Sequence, residues 1–275
     1  MKKLILLSIV SIFIYRGLSV PVDHQGNMKL FIVAGQSNAS GRGILPTTQT
    51  ENAQVYVFGN DYHWRLLLEP SDDFTNQVDS VSADDDAAFS FAYPFAVELL
   101  RTYPDMVIGI IPCARGGTSL YEWRRQLGDD TLYGSCLKRA RAASVMGEIS
   151  AILFYQGEKD ARGPALFPEL ELYPNSWAVH FEELAAAWRA DLGLPNLPIV
   201  YAQIGTTTDP ILYPNWEAVR TQQALVSLSN CNMVITDDVP LQDTAHFTTY
   251  GYRIVGRRFS AGYVGVIQNG EACNQ

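Results

Sequence analysis

Residues 30–34, LFIVA, form a short apolar run that leads directly into Gly35-Gln36-Ser37-Asn38. A run of this length and composition is typical of a strand that is buried on both faces of a parallel sheet. A serine just beyond such a strand often caps a helix or lies in a turn, but it can also be a nucleophile. Other parts of the sequence decide between these interpretations.

A second short segment, Asp243-Thr244-Ala245-His246, supplies the partners that a nucleophilic serine needs. The carboxylate can hold one imidazole nitrogen while the other nitrogen faces Ser37, which is the arrangement of serine hydrolases. Three further histidines fit structural or solvated positions better, in the amino-terminal region, in a polar loop and on a predicted helix: His24, His63 and His180. The sequence therefore predicts Ser37, Asp243 and His246 as the catalytic residues.

Strand-like and helix-like segments alternate along the chain, and no repeat or linker interrupts them. This alternation predicts an α/β fold with a parallel sheet sandwiched between helices. The strands are predicted at residues 29–34, 107–112, 149–155, 198–204 and 233–236, with an edge strand or hairpin at 54–59. The helices are predicted at 89–101, 132–145, 176–192, 216–229 and 250–262.

Polar motifs follow the ends of the predicted strands. Because ligands bind beyond the carboxyl ends of the strands in open α/β sheets, we expect these motifs to meet at one edge. They are Ser37, then Arg115-Gly116-Gly117, then Tyr155-Gln156-Gly157-Glu158, and finally Asp243 with His246.

Acyl transfer also needs donors for the developing oxyanion. The backbone N–H of Ser37, a backbone N–H of Gly116 or Gly117 and the side-chain amide of Gln156 are the candidates. The sequence does not choose between the two glycines. Arg115, Glu158 and the aromatic Trp123 are weaker candidates for contacts with the substrate.

Four ordered motifs together resemble the SGNH hydrolase superfamily, and within it carbohydrate esterase family six and the sialate O-acetylesterases. They are GQSN at 35–38, IPCARGGTS at 111–119, YQGE at 155–158 and DTAHF at 243–247. The resemblance implies a flavodoxin-like three-layer α/β/α sandwich with a parallel five-stranded sheet. It also implies a Ser37–Asp243–His246 triad, with Gln156 standing where the superfamily has an asparagine in the oxyanion hole.

Residues 1–19 are predicted to be a signal peptide, and residues 20–275 a single esterase domain. Lys2 and Lys3 precede an apolar run that is shorter than the roughly 20 residues of a membrane span, and Arg16 closes it. An uncleaved anchor is the alternative. We expect a secreted protein with no membrane association after cleavage.

The formal net charge of −9 falls to −12 without residues 1–19. Such a surface disfavours nucleic acid and anionic lipid as partners. Four cysteines, Cys113, Cys136, Cys231 and Cys273, lack the C-x-x-C spacing of zinc and thioredoxin-type sites. They allow three complete disulfide pairings, of which Cys113–Cys136 with Cys231–Cys273 is the most local. No cofactor is expected, and the acidic run at 84–86 is predicted to be a solvated turn rather than a calcium loop.

These observations predict a secreted serine esterase that removes O-acetyl groups from carbohydrate, as in acetylxylan. A sialate O-acetylesterase, a short-chain lipid esterase of the same superfamily and a non-catalytic carbohydrate-binding protein are the alternatives. Intact candidate catalytic residues argue against the binding protein. The sequence has no loop rich enough in apolar residues to require a long acyl channel.

Overall fold

A seven-stranded sheet forms the centre of the computed structural model, which describes residues 24, 26–78, 81, 84–163 and 173–273. The strands lie in the order β3-β2-β4-β1-β5-β6-β7, and every neighbouring pair is parallel except β2 and β3. They are β1 (Met28–Gly35), β2 (Val55–Phe58), β3 (Trp64–Leu66), β4 (Ile108–Pro112), β5 (Gly147–Tyr155), β6 (Ile199–Ala202) and β7 (Cys231–Val234).

Seven α-helices accompany this sheet among the described residues. They are α1 (Ser37–Ser40), α2 (Ala92–Thr102), α3 (Leu120–Trp123), α4 (Leu132–Ala143), α5 (Trp177–Leu192), α6 (Trp216–Gln223) and α7 (Thr249–Asn269). Helices α2 and α7 pack against each other, whereas α3, α4, α5 and α6 form a second contiguous group.

The register of the central strands explains why helices cover both faces of the sheet. Phe31 of β1 pairs with Ala151 of β5, and three residues later Ala34 pairs with Phe154. Because side chains alternate along a strand, Phe31 and Phe154 point to opposite faces. Phe31 contacts aromatic rings of α2 and α7, and Phe154 contacts rings of α3 and α5. The α/β sandwich predicted from the sequence is confirmed.

The sheet has two more strands than the five predicted. The segment 54–59 forms β2, which pairs in parallel with β4, and β3 returns beside it as an antiparallel edge strand. Helix α6 ends six residues before the predicted limit, whereas α7 continues seven residues beyond it. Gly262 therefore lies inside α7, where the helix backbone packs directly against the side chain of Asn232 and leaves no room for a Cβ.

Two disulfides fasten this framework, and they are the most local of the three possible pairings. Cys113, just after β4, is bonded to Cys136 of α4, and Cys231 of β7 is bonded to Cys273 near the carboxyl end. The predicted signal peptide, residues 1–19, lies outside the described residues. Within the described part of the chain, no helix is long and apolar enough to cross a membrane.

Candidate active site

Strand β1 ends at Gly35, which lies against the backbone of Tyr155 with φ of 126°. A side chain at this position would collide with that backbone, so only glycine fits. Ser37 is then the first residue of α1, and its backbone N–H makes no hydrogen bond among the described residues, as is usual in the first turn of a helix. The strand-to-helix turn thus presents both the hydroxyl and the N–H of Ser37.

His246 lies between Ser37 and Asp243. Its Nε2 is 2.9 Å from the Ser37 Oγ, and its Nδ1 is 2.8 Å from the Asp243 Oδ2. Partial burial alone would raise the pKa of Asp243, but hydrogen bonds from the N–H groups of Ala245 and His246 and from the imidazole outweigh it, so the pKa lies below its ordinary value. The acid therefore stays ionised beside the histidine. The structure brings together the three residues predicted as catalytic.

Asn38 connects the turn that carries Ser37 to the loop that carries Asp243 and His246. Its side-chain nitrogen donates to the Ala245 carbonyl oxygen at 2.9 Å and to the Glu158 Oε1 at 2.6 Å, and its oxygen accepts from the Tyr252 hydroxyl at 2.8 Å. The side chain is 1% exposed. The four groups form one buried network behind the Ser37–His246 pair.

A cavity of about 440 Å³ opens in front of Ser37 and His246. Its walls are strongly polar. Besides Ser37 and His246, they include both glycines of the predicted oxyanion loop, charged side chains of both signs and one tyrosine: Gly116, Gly117, Arg42, Arg115, Lys159, Arg162, Asp84, Asp85, Asp86, Glu158 and Tyr213. The charged side chains suit a polar ligand better than a long apolar chain.

Glu158 lines this cavity but is almost fully buried. Burial raises the pKa of its carboxyl to about 7 against the lowering effect of hydrogen bonds, among them that from Asn38. Its second oxygen, Oε2, has no hydrogen-bond partner among the described residues. Glu158 is therefore held by Asn38 on one side and leaves one acceptor atom unused.

Gln156 lies behind the cavity wall rather than on it. Its amide nitrogen donates to the Thr118 carbonyl oxygen at 3.1 Å, contacts the Asp160 carboxylate and is 3.3 Å from the Gln36 Oε1, while its amide oxygen accepts from Trp177. The amide nitrogen is thus already engaged by acceptors within the protein, and Ser37 is not among them. To act as the predicted oxyanion donor, Gln156 would have to give up one of these partners, and that role stays a prediction.

Gln36, which the sequence did not single out, lines the cavity instead. Its amide oxygen accepts from the Lys159 N–H at 3.1 Å and is close to the Gly157 N–H. This leaves its amide nitrogen 3.5 Å from the Ser37 Oγ. The GQSN motif contained the signal, because this glutamine immediately precedes the nucleophile.

Two weaker predictions from the sequence need correction. Trp123 does not contact the cavity, since it is fully buried in α3 and its ring nitrogen donates to Thr118. Asp84 is not part of a solvated turn. It is 5% exposed and accepts hydrogen bonds from Ser40, Arg42 and Gly116. Arg115, in contrast, is exposed at the rim of the cavity, as a substrate contact requires.

One acidic group among the described residues brings three carboxylates close enough to share a cation: Asp84, Asp85 and Asp86. Both oxygens of Asp84 already accept hydrogen bonds within the protein. The other two side chains are exposed. The donor set is therefore better described as a protein-bonded carboxylate with two solvated neighbours.

The matching family model and a curated relative are both described as carbohydrate esterases. A family model described as carbohydrate esterase, sialic acid-specific acetylesterase, matches residues 27–265. A probable carbohydrate esterase of Arabidopsis thaliana is 31% identical over 255 residues, which cover 86% of this chain and 90% of that protein.

Solved structures share the fold. An X-ray structure of an Arabidopsis thaliana protein matches with a TM-score of 0.72 at 27% identity, covering 87% of this chain and 98% of that one. The structure of the protein NanS matches with a TM-score of 0.67 at 20% identity, and the match covers 89% of this chain and 99% of NanS. The structure of a carbohydrate acetylesterase of Xanthomonas citri matches with a TM-score of 0.61 at 17% identity. This match covers 88% of this chain and 57% of the Xanthomonas citri protein. The last two likenesses concern the fold alone.

Proposed function

The chain belongs to the sialic acid-specific acetylesterase family of carbohydrate esterases, and from this premise we propose that it is a secreted serine esterase that removes O-acetyl groups from carbohydrate. The observation that carries the proposal is the continuous contact from the Ser37 Oγ through the His246 imidazole to the Asp243 carboxylate. This geometry suits an acyl-enzyme mechanism, in which each group has one task.

In the first half of the reaction, the Ser37 Oγ attacks the ester carbonyl carbon while His246 Nε2 accepts the hydroxyl proton. Asp243 stabilises the imidazolium that forms. Collapse of the tetrahedral intermediate breaks the bond to the sugar oxygen, and His246 returns the proton to that oxygen. The acetyl group is now bonded to Ser37, and the deacetylated sugar leaves.

In the second half, His246 takes a proton from water as the water oxygen attacks the acetyl carbonyl. Breakdown of this intermediate restores the Ser37 hydroxyl and releases acetate. The charge on the carbonyl oxygen is stabilised in both halves by the Ser37 N–H and by an N–H of the Gly116-Gly117 loop. Neither half of this reaction requires a cofactor.

The cavity supports a polar substrate with a short acyl group. Its walls carry charged side chains of both signs close to the reacting serine, as carbohydrate hydroxyls and their hydrogen bonds require. Two disulfides support an oxidising compartment, and the sequence of residues 1–19 supports export.

The deciding experiment compares p-nitrophenyl acetate with p-nitrophenyl octanoate, using the wild-type protein and Ser37→Ala. We expect turnover of the acetate in preference to the octanoate, with a loss of at least about 10³-fold in kcat on removal of Ser37. Turnover that persists in Ser37→Ala would overturn the serine mechanism. A preference for octanoate would overturn the carbohydrate assignment in favour of a lipid esterase.

The substrate itself is identified by acetate release from a panel of acetylated glycans, including acetylxylan, acetylated pectin and O-acetylated sialic acid. Release by the wild-type protein and not by Ser37→Ala would support the proposal. If the protein hydrolyses neither p-nitrophenyl ester and releases acetate from no glycan, the proposal fails. The protein would then be a carbohydrate-binding protein with the fold of an esterase.

A further inference from the structure

The side chain of Asp84 joins two loops that approach Ser37 from different strands. Its Oδ2 accepts from the Ser40 hydroxyl at 2.6 Å and from the Gly116 N–H at 2.7 Å. Both oxygens also accept from one guanidinium nitrogen of Arg42 at 2.9 Å. A buried carboxylate with charge-assisted bonds of this kind fixes the geometry of the groups that it binds.

Gly116 is committed to this carboxylate. Its N–H points at Asp84, so it is not available to an oxyanion in the cavity. A Cβ at Gly116 would collide with the Arg42 guanidinium and lie 2.9 Å from the Asp84 Oδ2. The glycine therefore lets the loop pack directly on the Arg42–Asp84 ion pair.

Gly117 is different in both respects. Its φ of 68° requires the left-handed conformation, yet a Cβ there would meet nothing within 4 Å. Its N–H makes no hydrogen bond among the described residues, and the residue lines the cavity. Of the two glycines, Gly117 has the free donor.

Ser40, a further partner of Asp84, is the last residue of helix α1, which begins at Ser37. One carboxylate thus connects the helix of the nucleophile to the loop that holds the free N–H. Because an oxyanion donor must lie within about 3 Å of the developing charge, a fixed distance between these two elements matters for the rate.

We propose that Asp84 is a positioning residue that fixes the glycine loop so that the N–H of Gly117, and not that of Gly116, donates to the oxyanion. The inference rests on the proposed function, because an oxyanion forms only if Ser37 attacks an ester.

The direct test is a crystal structure of the wild-type protein after reaction with a p-nitrophenyl alkylphosphonate. Ser37 Oγ forms a bond to phosphorus, p-nitrophenolate leaves, and His246 receives the serine proton. We expect the phosphonyl oxygen within 2.7–3.1 Å of the backbone nitrogens of Ser37 and Gly117, with the Gly116 nitrogen still on Asp84. A Gly116 nitrogen on the phosphonyl oxygen would overturn the inference. Failure of the phosphonate to label Ser37 would instead count against the proposed function.

A kinetic test uses Asp84→Asn, which keeps the shape of the side chain but removes its charge and one acceptor. We expect kcat for p-nitrophenyl acetate to fall about 10- to 100-fold with KM changed less than about twofold, since a displaced donor affects the transition state and not ground-state binding. Rates are expressed per active site titrated with the phosphonate, so loss of folded protein does not contribute.

Asp191→Asn is the matched control. Asp191 also accepts two hydrogen bonds from one arginine, Arg125, and a third from Tyr133, but it lies at the end of α5 and does not line the cavity. Both variants should lose stability, and only Asp84→Asn should lose kcat per active site. An unchanged kcat per active site in Asp84→Asn would mean that the role of Asp84 is structural alone.

Discussion

The side-chain nitrogen of Asn38 lies 2.9 Å from the carbonyl oxygen of Ala245, the residue that precedes His246. This single contact joins the turn that carries the nucleophile to the loop that carries the base, although more than 200 residues separate them in sequence. A second bond, to Glu158, holds the same nitrogen from the other side. Asn38 is therefore in a position to set the distance between Ser37 and His246 without touching the substrate.

We expect Asn38→Ala to lower kcat for p-nitrophenyl acetate about 10- to 100-fold while changing KM little. The variant loses the hydrogen bond to Ala245 that holds the His246 loop, so His246 is no longer aligned for proton transfer from Ser37. The free energy of unfolding should also fall, by about 1–3 kcal/mol, since Glu158 and Tyr252 lose a buried partner. The measurements are steady-state kinetics per titrated active site and thermal unfolding.

Asn60→Ala is the control for this variant. Asn60 is equally buried, and its side-chain nitrogen likewise donates to a carboxylate and to a backbone carbonyl, those of Asp72 and Asp73. It lies just after β2 and does not line the cavity. If both variants kept wild-type kcat per active site, the contact between Asn38 and Ala245 would have no part in alignment.

We expect Asp243→Asn to lower kcat by about 10³- to 10⁴-fold with little loss of stability. The asparagine oxygen can still accept from the N–H groups of Ala245 and His246, as Oδ1 does now. Its NH₂ group, however, then faces His246 Nδ1 and places the imidazole proton on Nε2, which can no longer accept from Ser37. A fall of less than tenfold would show that another group orients His246.

The two glutamines near Ser37 should respond differently to replacement by alanine. Gln36→Ala removes the only amide among them that lines the cavity, and we expect kcat to fall about 10-fold or more with a modest change in stability. Gln156→Ala removes a fully buried amide with several partners, so we expect mainly a lower melting temperature. Kinetics per active site, together with thermal unfolding, separate the two effects. A large fall in kcat per active site for Gln156→Ala, with little effect of Gln36→Ala, would instead support Gln156 as an oxyanion donor.

The sequence predicted the sheet and the three catalytic candidates because both depend on strand ends, which short apolar runs mark well. It did not choose between Gly116 and Gly117, since the direction of an N–H depends on backbone angles. For a similar reason it did not show that the Gln156 amide, at the tip of β5, has hydrogen-bond partners of its own, so a role of this amide as oxyanion donor stays a prediction.

Asp84 illustrates a different limit. A run of three aspartates is typical of a solvated turn. Asp84 is nevertheless buried, because it contacts Ser40 and Arg42, which are more than 40 residues away in sequence. Trp123 shows the converse. An aromatic residue soon after the glycine pair suggested a sugar contact, but Ser119 and Glu122 cap a short helix there and turn the ring inward.

Buried carboxyls with a raised pKa should make the protein less stable as pH rises. Burial raises the pKa of Glu158 from 4.5 to about 7, so between these values the folded chain binds more protons than the unfolded chain. The stabilisation is complete below pH 4.5 and is lost as pH rises through about 7, a difference of about 3 kcal/mol for this one group. Burial raises the pKa of Asp72 and Asp160 to about 7 as well, and they act in the same direction.

We therefore expect the free energy of unfolding, measured with urea, to be larger at pH 5 than at pH 8 for the wild-type protein. Glu158→Gln should weaken this dependence, because one of the buried carboxyls with a raised pKa is gone, whereas the exposed Glu51→Gln should leave it as it is. If the free energy of unfolding depended on pH to the same extent in the wild type and in Glu158→Gln, the Glu158 carboxyl would titrate alike in the folded and unfolded chains.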